Sequence, residues 1–142
     1  MENYSIRLIN KTDFKKGYLK LISQLTNEEI NCNEDFFINH LKLINNSIYV
    51  IEFDNIIIAS VTLIIEKKFI HNFKSVCHIE DVIVHKDYQK KGLGSLLINF
   101  CIEFAKKNNC YKTILNCSEK LEKFYSKFNL KKKNIQMSIY YY

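Results

Sequence analysis

Proline and tryptophan are absent from this sequence, and glycine occurs only three times. The lack of proline carries no functional message. The scarcity of glycine does, because two of the three, Gly92 and Gly94, stand two residues apart. No apolar run approaches the roughly 20 residues that a membrane-spanning helix needs. The longest, Ile56 to Ile65, is interrupted by Ser60 and Thr62 and is rich in β-branched residues, so it reads as a strand. Met1 to Ser5 has no basic stretch leading into an apolar one. No secretory leader is therefore visible, and a cytoplasmic location is expected. The five cysteines (Cys32, Cys77, Cys101, Cys110, Cys117) are odd in number and lack C-x-x-C spacing. That argues against a disulfide framework and against a metal site, and the thiols read as small buried hydrophobes.

What is present points to one folded unit. A hydrophobic content of 47% over 142 residues suits a single domain, residues 1–142, with a sizeable core. The formal charge of +6 fits an anionic partner: nucleic acid, a membrane surface or a phosphorylated metabolite. Lysines are spread along the chain, and the one tight run, Lys131-Lys132-Lys133, reads as a solvated turn after a helix. Aromatics fall at core-like spacings rather than interleaved with a basic stripe, so no nucleic-acid partner is expected.

Periodicity predicts the order β-α-α-β-β-β-α-β-α-β. Tyr4 to Ile9 alternates as a first strand, and Asp13 to Gln24 has helical spacing. A second helix starts near Asn33 or Glu34. Strands follow at Ser47 to Phe53 and Ile56 to Glu66, joined by a hairpin turn at Asp54-Asn55, and again at Ser75 to Val84. Leu96, Leu97, Phe100, Cys101, Phe104 and Ala105 form the apolar stripe of the main helix. A strand at Tyr111 to Cys117, a short helix at Glu119 to Lys127 and a last strand at Ile135 to Tyr142 complete an α/β domain with a mixed sheet.

The loop Tyr88-Gln89-Lys90-Lys91-Gly92-Leu93-Gly94 links a strand to the main helix. A glycine-rich turn there leaves the first helical N–H groups free at the positive end of the helix dipole, a place that suits a pyrophosphate. A plain sharp turn would use glycine as well. Glu80 and Asp81 are adjacent carboxylates in an otherwise apolar strand. Strand neighbours point to opposite faces, and buried charge is costly unless satisfied; an exposed edge strand is the alternative. Phe124-Tyr125 on an amphipathic helix reads as core, and Lys68 and His71 as ordinary members of a polar loop. His78 and His85 read as packing or surface residues.

Taken together, the element order and Gln89-x-x-Gly92-x-Gly94 resemble the GNAT superfamily of acyl-CoA-dependent N-acyltransferases. Ile64-Ile65-Glu66-Lys67-Lys68-Phe69-Ile70-His71, His78-Ile79-Glu80-Asp81-Val82, Asn109-Cys110-Tyr111-Lys112 and Phe124-Tyr125 resemble the glucosamine-6-phosphate N-acetyltransferase family. The match is dense from about residue 61 to residue 128. The resemblance implies a GNAT fold, with helices on both faces of a mixed sheet and a splayed strand pair at the acyl-CoA site. It implies acetyl transfer from acetyl-CoA to the amine of D-glucosamine 6-phosphate, on the route to UDP-N-acetylglucosamine, by direct attack in a homodimer.

The same resemblance assigns residues. The pyrophosphate would rest on the loop from Gln89 through Lys90, Lys91, Gly92, Leu93 and Gly94 to Ser95, and pantetheine on the backbone of Val82, Ile83 and Val84. Tyr125 would face the CoA sulfur and protonate it. Glu80 and Asp81 would contact or order the sugar, Lys68 and His71 would bind its 6-phosphate and hydroxyls, and Thr26 would line its pocket. Three positions depart from the pattern. Asn116 replaces an aspartate that steers the substrate amine, Leu121 replaces an asparagine, and Tyr140 stands where a C-terminal arginine reaches the phosphate across the dimer. The alternatives are a GNAT enzyme acting on another amine and a CoA-binding module without catalysis.

Overall fold

The computed structural model describes residues 4–142. The leader reading of Met1 to Ser5 rests partly on residues 1–3, which lie outside the described part. The elements are β1 (Ile6–Leu8), a 3-10 turn (Lys11–Phe14), α1 (Tyr18–Ser23), α2 (Glu34–Leu43), β2 (Ser47–Phe53) and β3 (Ile56–Lys67). A one-turn segment α3 (Ile70–Phe73), β4 (Ser75–Val84), a second 3-10 turn (Lys86–Tyr88), α4 (Leu93–Lys107), β5 (Cys110–Ile114) and α5 (Glu119–Ser126) follow. The sheet order is β1-β2-β3-β4-β5, antiparallel up to β4 and parallel between β4 and β5.

Local chemistry accounts for most of these boundaries. Asp54 and Asn55 both take left-handed φ (49° and 60°), which a tight hairpin requires. Asn33 caps α2 by accepting from the Phe36 amide at 2.8 Å. The helix expected from Asp13 to Gln24 is split, because Gly17 adopts φ 80° between the 3-10 turn and α1. At the chain's start an ion cluster ties that split segment to the sheet. Arg7 grips the fully buried Asp13 carboxylate through two nitrogens, at 2.7 and 2.9 Å, and reaches Glu52 at 2.6 Å.

Two apolar layers sandwich the sheet. On one face, α4 and α5 bring Leu93, Leu97, Cys101 and Tyr125 against Ile51, Val61 and Leu63. On the other, Tyr18, Leu21 and Phe37 of α1 and α2 cover Ile48, Val50 and Ile57. The buried Cys77 and Cys101 behave as the small hydrophobes expected, with burial pushing their thiols up to about 11 and about 12. Cys117 departs from that expectation: it is exposed.

The last strand is not formed. Residues 131–142 carry no regular structure, and Ile135, Met137 and Ile139 are exposed (91%, 92% and 73%). Their alternation with Gln136 and Ser138 is a strand pattern, yet a strand exists only where a neighbour supplies its ladder, and the described residues supply none.

Candidate active site

β4 has ten residues and β5 only five, so the two strands pair along part of β4 alone. The register runs from Ser75 opposite Cys110 to His78 opposite Ile114, and no pairing is found beyond. Past that point the β5-facing edge of β4 has no strand neighbour among the described residues, which is the splayed pair the family resemblance implies.

A bulge in β4 sits just past the parting. Glu80 pairs with Thr62 and Ile83 with Ser60, so Asp81 and Val82 together oppose the single Val61. Asp81 takes φ 50°, a left-handed value uncommon outside glycine and asparagine. The extra residue shifts the alternation. Cys77 and Ile79 face the α4 side before it, Val82 and Val84 after it, while Ile83 joins the α1–α2 layer. The expectation of regular alternation at Glu80 and Asp81 thus meets a bulge at this point of the strand. It assumed an unbroken strand. Nor are both carboxylates buried: Glu80 is half-buried and Asp81 exposed, because β5 leaves this stretch of sheet uncovered. Asp81 lies near enough to act on the buried Tyr18 phenol, which burial above all raises to about 12.

Beyond β4 the glycine loop turns into α4. The Gln89 side-chain amide donates to Val84 O at 3.3 Å, tying the loop back to the strand it left. Lys90 (φ 62°) and Gly92 (φ 83°) both adopt left-handed backbone. No side chain caps α4, so the N–H groups from Gly92 to Ser95 have neither an intrahelical acceptor nor a capping one. Nothing lies within 4 Å of a β-carbon built on Gly92. These amides, open space and a helix dipole fit a pyrophosphate. Leu93 contributes backbone only, since its side chain is in the core. Lys91 lies over the Tyr88 ring, 4.9 Å from its centroid, and Lys90 is exposed.

Tyr125 projects from α5 into the α4-side core, 8% exposed, and its hydroxyl bonds to no other described residue. Burial raises its pKa, with smaller contributions from Cys117 and Cys101 nearby. The phenol thus keeps its proton across neutral pH. Asn116 is exposed just past the end of β5, and its neighbour Leu115 packs on the α4 side.

The remaining residues gather at the far end of β3 and β4. Glu66 holds Lys68 through one carboxylate oxygen and accepts from His78 Nε2 through the other at 2.7 Å. His71 takes left-handed φ (52°), as do Asn72 and Phe73, and its ring lies 4.1 Å from that of Tyr111. His78 is half-buried and tied to Glu66. Glu66, His78 and Tyr111 are the members of this cluster to which the sequence motifs gave no functional role. Their motifs were visible, but nothing local says that residues 66, 68, 78 and 111 meet. His85 caps the second 3-10 turn, its Nδ1 accepting from the Asp87 amide. Thr26 lies in the exposed turn after α1 and makes no contact with the others among the described residues.

Comparison with known proteins places this geometry. Residues 12–129 match the acetyltransferase (GNAT) family profile. The glucosamine 6-phosphate N-acetyltransferase 1 of Dictyostelium discoideum is 37% identical, across 98% of this chain and 92% of that protein. The Arabidopsis thaliana glucosamine 6-phosphate N-acetyltransferase is 35% identical over 99% and 98%. The crystal structure of the Arabidopsis thaliana protein superposes with a TM-score of 0.92 over 99% of both chains. A putative acetyltransferase from Agrobacterium tumefaciens, only 22% identical, shares the fold at a TM-score of 0.85. The chain belongs to the GNAT acetyltransferases and, within them, to the glucosamine 6-phosphate N-acetyltransferase family.

Proposed function

We propose that this chain transfers the acetyl group of acetyl-CoA to the amine of D-glucosamine 6-phosphate. The observation that carries the reading is the parting of β4 from β5 beside an uncapped α4 N-terminus, with Lys68 and His78 gathered on Glu66 at the end of the same sheet. When bound, acetyl-CoA supplies an activated thioester acyl group. The chain's own groups do the rest. The amides from Gly92 to Ser95 hold the pyrophosphate, with Lys90 and Lys91 at the rim and Gln89 bracing the loop. Unpaired β4 backbone around Val82 to Val84 accepts the pantetheine arm, and an N–H there stabilises the oxyanion.

Glu80 and Asn116 flank the place where the amine attacks. Asn116 orients it through its amide oxygen but takes no proton, so Glu80 or solvent receives the proton released. Tyr125, neutral and without an internal partner, protonates or hydrogen-bonds the departing thiolate. Lys68 and His71 meet the 6-phosphate, while Asp81 and Thr26 border the sugar pocket. The product would feed UDP-N-acetylglucosamine synthesis. A homodimer, in which the exposed tail from Ile135 pairs with a second copy, is the assembly this reading expects, and the cytoplasm its location.

A thiol-release assay with acetyl-CoA, comparing D-glucosamine 6-phosphate with unphosphorylated glucosamine, tests the proposal. Turnover that depends on the phosphate supports it. Acetyl-CoA binding without turnover on either sugar directs the search to another amine or to a non-catalytic role.

A further inference from the structure

Glu66 stands at the end of β3 with both carboxylate oxygens engaged, one by Lys68 and the other by His78. Its carboxyl is accordingly held below the ordinary range, first by Lys68 and then by His78. A carboxylate accepts only, so His78 Nε2 carries the proton, and Nδ1 has no partner among the described residues. Tyr111 lies near Lys68, with the His71 ring tilted 32° against it at 4.1 Å and Lys112 5.6 Å from the centre of the Tyr111 ring. An anionic residue amid these groups opposes a phosphate directly, so attraction cannot be its contribution. Order can. A free lysine side chain loses rotamer freedom when it engages a ligand, whereas one already held on a carboxylate has little left to lose.

We propose that Glu66 is a positioning residue for the phosphorylated sugar, acting through Lys68 and His78. It sets their spacing on the acceptor face of β3 and β4, with Lys68 directed to the phosphate and His78 Nδ1 offered to a ring hydroxyl. His78 lies two residues before Glu80 on the same face, so the phosphate end and the amine end of the sugar lie along one strand. This role rests on the acceptor assignment made above.

Steady-state kinetics with D-glucosamine 6-phosphate, alongside thermal melting, provides the test. Glu66→Ala is expected to raise KM for the sugar phosphate about tenfold, on the scale of immobilising one or two long side chains. The kcat and the KM for acetyl-CoA should stay within about twofold. In a Lys68→Met background the same substitution should add only a smaller rise, because one of the two partners it acts through is gone and His78 alone remains. Should Glu66→Ala not fold, Glu66→Gln keeps the volume and is expected to raise KM about threefold. A KM that falls in either variant means that Glu66 only repels phosphate, and overturns the role. So does an unchanged KM with a lowered melting temperature, which marks a purely structural contact. A wild-type protein without turnover on this sugar refutes the acceptor assignment and this role with it; a live wild type with unaltered variants refutes this role alone.

Discussion

Gly94 lies so close under Phe124 that a β-carbon on it would sit 3.2 Å from the ring. The second glycine of the loop is thus a packing residue: it lets α5 close on the start of α4 and so sets where the next residue, Tyr125, projects. Gly92 differs. It has open space around it and a left-handed φ of 83°. The two glycines of one motif serve different ends.

Substituting each should separate them. Gly94→Ala presses a methyl group against the Phe124 ring, which has to give way beside Tyr125, and is expected to lower kcat about tenfold and stability by ~1 kcal/mol, as modest overpacking does. Gly92→Ala strains the backbone by ~1–2 kcal/mol and puts a methyl group over the amide cradle, so KM for acetyl-CoA should rise. Kinetics with acetyl-CoA varied, read beside melting curves, distinguishes the two effects.

Asn116→Asp should place a charged acceptor where the family resemblance expects an aspartate. If amine deprotonation limits the rate, kcat rises about a hundredfold, the low end of what general-base catalysis supplies. No gain in thiol release would mean that another step is limiting or that the site does not turn over.

The ion cluster near the N-terminus makes stability depend on acid. Hydrogen bonds from Lys16 and then Arg7 hold the Glu52 carboxyl below its ordinary value. A lowered folded pKa gives stability that is complete above the unfolded value of about 4.3 and is lost as pH falls through the folded one. Thermal melts should therefore drop steeply below about pH 4.3, and Glu52→Gln should flatten that drop. Arg7→Met leaves the fully buried Asp13 without its main partner, and is expected to cost ~3–5 kcal/mol at neutral pH.

Thiol labelling of the native protein should mark Cys117 first. Cys77 and Cys101 are fully buried, with thiols raised to about 11 and about 12, and should react only after unfolding. Peptide mass spectrometry after brief alkylation reads the order directly, and early labelling of Cys101 would contradict the packing of α4.

Deleting the segment after Asn134 removes the exposed Ile135, Met137 and Ile139. If these residues form a strand against a second copy, light scattering should report a dimer for the full chain and a monomer for the truncated one.

Much of this protein is written locally. Strands Ser47–Phe53 and Ser75–Val84 and the α2 cap at Asn33 follow from alternation, branching and side-chain hydrogen bonding within a few residues. So does the glycine loop, because a strand-to-helix turn with freed amides is a property of consecutive residues. Where a prediction failed, a distant partner decided. Gly17 divided a helix that periodicity joined, since α1 must redirect to cover Ile57. The tail kept its strand pattern but found no ladder.

What the sequence determined by itself was the kind of element at each position and the family that those elements and motifs mark. Only the tertiary structure decided that β4 bulges at Asp81, that β5 parts from it after His78, and that Glu66 joins Lys68 to His78. The physical reason is the same in each case. Register and side-chain pairing are relations between segments far apart in the chain, and no single segment contains the partner that sets them.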